Sequence, residues 1–127
     1  MSGPLIWVIE DNDQNFELVD YLLGEEGYAV ARARDAAELA PLLAGASPAL
    51  VLLDMNLPSG SGLDLLKRLR SHERSRTAPV VALTAHAMRG DRERFLAAGC
   101  DGYISKPIEA NAFLSSVAGF LRGGVER

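Results

Sequence analysis

Three short apolar runs stand out along the chain: Leu5 to Ile9, Leu50 to Leu53 and Val80 to Leu83. They show no polar alternation and are rich in branched aliphatic residues. A strand with one wet face alternates apolar with polar, so an uninterrupted run of this length suits a strand covered on both faces, as in a parallel sheet. Tyr28 to Ala33 and Gly102 to Ile104 are weaker runs and bring the set to five. Between the runs the apolar period changes. Phe16, Val19 and Leu22, then Leu63, Leu66 and Leu69, then Phe113, Val117 and Phe120 recur every three or four residues, as one stripe of a helix does. The pattern predicts strand and helix alternating five times.

Turn and cap residues fall between these elements. Gly27 follows the first helical stretch, Asp35 stands where it can cap the second, Pro58 to Gly62 read as a loop, and Gly99 follows the fourth stretch. Pro41 fits less well. Inside a helix it lacks an N–H and crowds the preceding turn, so the second helix is expected to be short, kinked or to begin later than Asp35. No internal repeat, low-complexity tract or linker interrupts the pattern. Five such units predict an α/β fold, an open, doubly wound five-stranded parallel sheet, and by analogy the flavodoxin-like (βα)5 strand order 2-1-3-4-5 leads. In such a sheet a site lies outside the carboxyl ends of the strands, near the point where the strand order reverses.

With 127 residues, 48% of them hydrophobic, the chain is expected to be one domain over 1–127 with enough apolar surface for a core. No output domain is expected after Phe120, so action should pass through protein contacts. The single Cys100 makes no internal disulfide, and one Cys with two His makes no chelating group. Met1 to Pro4 hold no basic leader, and the first apolar run is too short for a signal peptide or a membrane span. These features predict a cytoplasmic protein without membrane attachment. A formal net charge of −4 and a pI near 5.1 argue against nucleic acid as a partner. Local basic clusters at Lys67 to Arg76 and Arg89 to Arg94 read as solvated helix faces.

The chemistry gathers at the carboxyl edge. The first strand delivers Glu10, Asp11, Asn12 and Asp13 there, the third Asp54, the fourth Thr84, and the fifth Ser105, Lys106 and Pro107. Crowded carboxylates resist ionisation unless a cation sits between them, and an oxygen-only set of this kind suits Mg²⁺. A plainer reading makes Glu10, Asp11 and Asp13 a capping cluster at a helix start. Capping leaves Asp54, Thr84 and Lys106 unexplained.

These stretches together resemble the response-regulator receiver domains of two-component phosphorelay systems. The resemblance covers nearly the whole chain and rests on Glu10-Asp11-Asn12, on Leu52-Leu53-Asp54-Met55-Asn56-Leu57-Pro58 with Gly60 and Gly62, on Leu83-Thr84-Ala85-His86-Ala87-Met88, and on Tyr103-Ile104-Ser105-Lys106-Pro107. Met88 through Ile108 is most similar to receivers of hybrid kinases and of small stand-alone cell-cycle regulators. The resemblance implies that Asp54 is the phosphoacceptor. It implies Asp11 as a direct ligand of Mg²⁺ (or Mn²⁺), Glu10 as a ligand through water, and Asp54 and the Asn56 backbone carbonyl as further ligands. Thr84 and Lys106 would contact the phosphoryl oxygens. The implied partners are a histidine kinase or histidine phosphotransfer protein and a downstream protein effector, with the chain a monomer or weak dimer. No separate substrate would be turned over, only its own aspartyl phosphate.

The residue chemistry supports these roles. A carboxylate is a competent nucleophile toward phosphorus, and phosphoryl transfer needs cations near the equatorial oxygens, which Mg²⁺ and Lys106 would supply. The Thr84 hydroxyl can donate to a phosphoryl oxygen that exists only after transfer, which gives the loop from Ala85 to Met88 a reason to move. Tyr103 is then the aromatic expected to turn inward, against the plainer reading of an edge residue with a wet hydroxyl. Arg89, Arg92, Tyr103 and Phe113 would form a basic and aromatic output face. The Lys106–Pro107 peptide is expected to be cis, aiming the ammonium inward. Gly60 and Gly62 read as turn residues after Asp54. Trp7 reads as a core aromatic, Cys100 as a small buried or half-buried thiol, and His72 as a helix-end surface residue. His86 and Asn56 flank the site, at positions that in receivers tune the loss of the phosphoryl group.

Three other functions compete. A flavodoxin-like electron carrier needs a hydroxyl- and glycine-rich phosphate cradle where Glu10, Asp11 and Asp13 would repel phosphate. An aspartate-nucleophile phosphohydrolase usually wants a second acid two residues past the nucleophile, where Asn56 stands. A phosphorylation-independent adaptor has no use for the intact set of acids, Thr84 and Lys106.

Overall fold

The computed structural model describes residues 3–57, 60–84 and 90–122. Expectations about Pro58, the Ala85 to Met88 loop with His86, Arg89 and the tail from Gly123 lie outside the described residues. In chain order the elements are β1 (Leu5–Ile9), α1 (Asp13–Glu25), β2 (Ala29–Ala33), α2 (Ala36–Leu43), β3 (Leu50–Asp54), two short strands β4 (Asn56–Leu57) and β5 (Gly60–Ser61), α3 (Gly62–Ser71), β6 (Val80–Thr84), α4 (Asp91–Ala98), β7 (Gly102–Ser105) and α5 (Ala110–Leu121). Five strands form one parallel sheet in the order β2-β1-β3-β6-β7. Counting only its own strands, this is the expected 2-1-3-4-5. The stretch read as a loop after Asp54 instead holds a small antiparallel pair, with Asn56 opposite Ser61.

Local chemistry sets the boundaries. Asn12 begins α1, its side chain accepting from Asn15 N–H at 2.9 Å, and Asp35 begins α2, accepting from Glu38 N–H at 3.0 Å. Helix α2 starts directly after that cap and keeps Pro41 inside; of the three expected outcomes it is the short one, ending at Leu43. Gly27 and Gly99 take φ of +84° and +119° where α1 and α4 close, conformations open to glycine without steric cost.

The uniform apolar runs conceal a period of two. Trp7 and Ile9, Val51 and Leu53, Val80 and Ala82 pack on one sheet face with Leu39, Leu66, Leu69 and Phe95 of α2, α3 and α4. Ile6 and Val8, Leu50 and Leu52, Val81 and Leu83 pack on the other with Val19, Leu23, Val117 and Phe120 of α1 and α5. Both faces are dry, so both sets of alternating side chains must be apolar. Trp7 and Cys100 are core residues as read.

Two readings need correction. Phe113, assigned to an output face, is 1% exposed and lies in the α1–α5 layer, because α5 turns its apolar stripe inward. Arg70, read as part of a solvated basic face, is half-buried. Its guanidinium donates to the carbonyls of Arg76 (3.1 Å), Ala78 (2.6 Å) and Gly99 (2.8 Å) and to Asp101 Oδ2 (2.7 Å), which also accepts from Val80 N–H at 2.9 Å. This staple ties the end of α3 to the starts of β6 and β7. Among the described residues no helix is long and apolar enough to cross a membrane.

Candidate functional site

Parallel register carries the acids together. Ile9 pairs with Leu53 across β1 and β3, so the next residues, Glu10 and Asp54, emerge side by side at the carboxyl edge. Asp54 in turn pairs with Leu83, and Thr84 with Ser105, which places Thr84 and Lys106 at the same edge. One carboxylate oxygen each of Glu10, Asp11 and Asp54 lies within 4.8 Å of the others. The Lys106 ammonium enters from the far side, 2.6 Å from Glu10 Oε1 and 3.4 Å from Asp54 Oδ2. Its backbone N–H donates to Thr84 O at 2.8 Å, and the Lys106–Pro107 peptide is cis.

Burial sets the electrostatics. Glu10 is 0% exposed and its pKa is raised to about 7, chiefly by burial and further by Asp54, against the lowering pull of Lys106. Its Oε2 also accepts from Asn12 N–H at 3.2 Å. Asp54 and Thr84 are buried, while Asp11 is half-buried. Three acids and one ammonium leave the cluster negative, and its hard oxygen donors could hold a divalent cation.

The other singled-out residues lie around this centre. Asn56 stands two residues past Asp54 at the start of β4. Tyr103 is half-buried on β7, its ring 6.3 Å from that of Phe95 and tilted by 30°. Asp13 is turned away: its Oδ1 lies 2.8 Å from Arg32 and 3.4 Å from Arg34, which hold its carboxyl below the usual range. Capping therefore accounts for Asn12 and first-turn Asp13, and leaves Glu10 and Asp11 to the cluster. Gly62 serves close packing: a Cβ there would come within 2.6 Å of Met55 Cα and 3.1 Å of Asp54 O.

Arg32 escaped the sequence reading. From β2 its guanidinium reaches over the end of β1 to the Glu10 carbonyl, with Nε at 3.1 Å and Nη2 at 3.0 Å. The available signal was an arginine inside an otherwise apolar strand, Val30-Ala31-Arg32-Ala33.

Comparison with known proteins completes the picture. The family model described as response regulator receiver domain matches residues 6–118. The chain is 40% identical over 116 residues to the polar-differentiation response regulator DivK of Brucella ovis, covering 91% of this chain and 94% of that protein. It is 31% identical to the receiver domain of a sensor histidine kinase from Pseudomonas aeruginosa PAO1, with a TM-score of 0.83 over 97% of this chain and all (100%) of that one; that crystal structure has a magnesium ion coordinated in the active-site cleft. The signal receiver domain of a histidine kinase from Syntrophus aciditrophicus is 30% identical, with a TM-score of 0.83 over 95% of this chain and 92% of that one. A match running from the first strand into the last helix, on a sheet with the same strand order, establishes that the chain belongs to the response regulator receiver domain family.

Proposed function

We propose that this chain is a phosphorylation switch in a two-component or phosphorelay pathway. Asp54 takes a phosphoryl group from a histidine kinase or histidine phosphotransfer protein, and the phosphorylated form presents an altered surface to a downstream protein. The observation that carries this reading is a buried aspartate beside two further acids, with the Lys106 ammonium 2.6 Å from Glu10 and 3.4 Å from Asp54. A stability role alone accounts poorly for such a cluster, because it crowds like charges at a sheet edge.

In the transfer, an Asp54 carboxylate oxygen bonds to phosphorus as the N–P bond to the donor imidazole breaks. The electron pair of that bond leaves with the imidazole, and Asp54 becomes an acyl phosphate. Lys106, already beside Asp54, faces the oxygens that gain charge. Glu10, Asp11, Asp54 and the Asn56 carbonyl are the groups that would hold Mg²⁺ or Mn²⁺, which when bound offsets the acids and the phosphoryl charge. The fit rests on hard oxygen donors gathered within 4.8 Å and a net negative cluster. Water attack at the same phosphorus breaks the bond between phosphorus and the Asp54 oxygen, releasing inorganic phosphate and returning the free carboxylate, so the chain acts on its own aspartyl phosphate.

Thr84 stands at the end of β6 beside the β3 end that carries Asp54; in this reading its hydroxyl donates to a phosphoryl oxygen and so couples the site to α4 and β7. The output face then comprises α4, β7 with Tyr103, and the exposed side of α5, with Phe113 beneath it as core. Incubation with acetyl phosphate and Mg²⁺ is expected to add one acyl-type phosphoryl group to the wild-type protein and none to Asp54→Asn. Equal labelling of the variant overturns the assignment.

A further inference from the structure

Strand β2 ends at Ala33, level with Ile9 of β1. The Glu10 N–H still donates to Ala33 O at 3.0 Å, but the following chain turns off, with Arg34 N–H donating to Glu38 Oε1 at 2.7 Å. The carbonyls of Glu10 and Asp11 therefore lie past the last β2 residue that pairs with β1. Arg32 takes over. Its Nε and Nη2 donate to Glu10 O at 3.1 and 3.0 Å, and Nη2 also reaches Asp11 O at 3.3 Å. The guanidinium is itself held, 4.4 Å from the centre of the Phe16 ring and 2.8 Å from Asp13 Oδ1, with 16% of its side chain exposed.

Resting on the phosphoacceptor reading, we infer that Arg32 is a positioning residue for the acidic site: by clamping two successive carbonyls it sets where Glu10 and Asp11 stand relative to Asp54. A side chain leaves its backbone in a direction fixed by the local peptide planes, so a fork gripping both planes orients both carboxylates. Asp13 answers the guanidinium charge at 2.8 Å, which weakens its field at the site and leaves geometry as the main contribution. Phe16 and Asp13, both from the first turns of α1, hold the clamp to the same helix that Asn12 begins. One guanidinium thus joins β2, the end of β1 and the start of α1.

The test is Mg²⁺ titration by calorimetry of wild type, Arg32→Ala, Arg32→Lys and Asp11→Ala, with amide NMR spectra of the metal-free proteins. Loss of a partner that orients metal ligands typically weakens metal binding by about 10- to 100-fold. Arg32→Ala and Arg32→Lys are both expected at about tenfold weaker affinity, with the Asp11 and Asn12 amide resonances moved before any metal is added. Lysine keeps the charge and loses the fork, so it separates geometry from electrostatics. Wild-type affinity in Arg32→Lys, or tighter binding in Arg32→Ala, overturns the positioning role. Should Arg32→Ala fail to fold, Arg32→Lys carries the comparison alone. Weakened binding in Asp11→Ala with unaltered Arg32 variants overturns the role of Arg32 and leaves the phosphoacceptor reading standing. A wild-type protein that binds no Mg²⁺, or an Asp11→Ala variant that binds as wild type does, overturns the metal reading itself and this role with it.

Discussion

Glu10 sits in the interior against Lys106 and Asp54, and its pKa stands at about 7 where a free glutamate has 4.5. A carboxyl whose folded pKa lies above its unfolded one binds its proton more tightly when folded. Its stabilising contribution is then complete below pH 4.5 and is lost as the pH rises through about 7. At 1.36 kcal/mol per pH unit that rise corresponds to about 3 kcal/mol. Glu10→Gln removes the titration and keeps the shape. Urea unfolding of both proteins in EDTA, at intervals from pH 4.5 to 8, isolates it: wild type should lose up to about 3 kcal/mol relative to the variant as the pH rises. Parallel pH profiles would refute the raised pKa. A wild type that gains on the variant with rising pH would show that the Lys106 pair outweighs burial. The same proton opposes a divalent cation, so Mg²⁺ affinity should climb about tenfold from pH 6 to 8 and level off above.

Three further substitutions probe the architecture. Arg70→Ala strips four acceptors of one guanidinium and leaves Asp101 half-buried without it, and chemical denaturation should show a loss of about 2–4 kcal/mol. Phe113→Ala should cost about 3–5 kcal/mol in the same assay, as for a core aromatic, where a surface residue would cost almost nothing. Gly62→Ala forces a methyl against Met55 Cα directly beyond Asp54, so a lowered melting temperature, worth about 1–3 kcal/mol, should come with weakened Mg²⁺ binding in a calorimetric titration.

The three central strands, β1, β3 and β6, were legible because both sheet faces are covered there: a doubly buried strand must be apolar at every position, whereas the edge strands β2 and β7 are only half-buried and gave weaker runs. The same uniformity hid which residues face which layer. Val51 and Leu52 are interchangeable to the eye, and only the helices packed above and below assign them to opposite cores. The helices showed their stripes, but Phe113 could be read as surface because a stripe has no direction until it meets a sheet.

At the site, the sequence alone determined which acids end the strands, since Glu10 and Asp54 each follow directly on an apolar run, Asp11 comes one residue later, and parallel register brings run ends to one edge. Asp13 could not be separated from them by type or spacing; its partners Arg32 and Arg34 come from β2, and long-range ion pairs leave no local trace. Arg32 and Arg70 were likewise decided by tertiary structure. Local patterning records whether a residue prefers water or the interior, and an arginine is recorded as wet. It becomes part of the interior only where folding brings unpaired carbonyls and a carboxylate within reach of its fork, and those groups arrive from elements far apart in the chain.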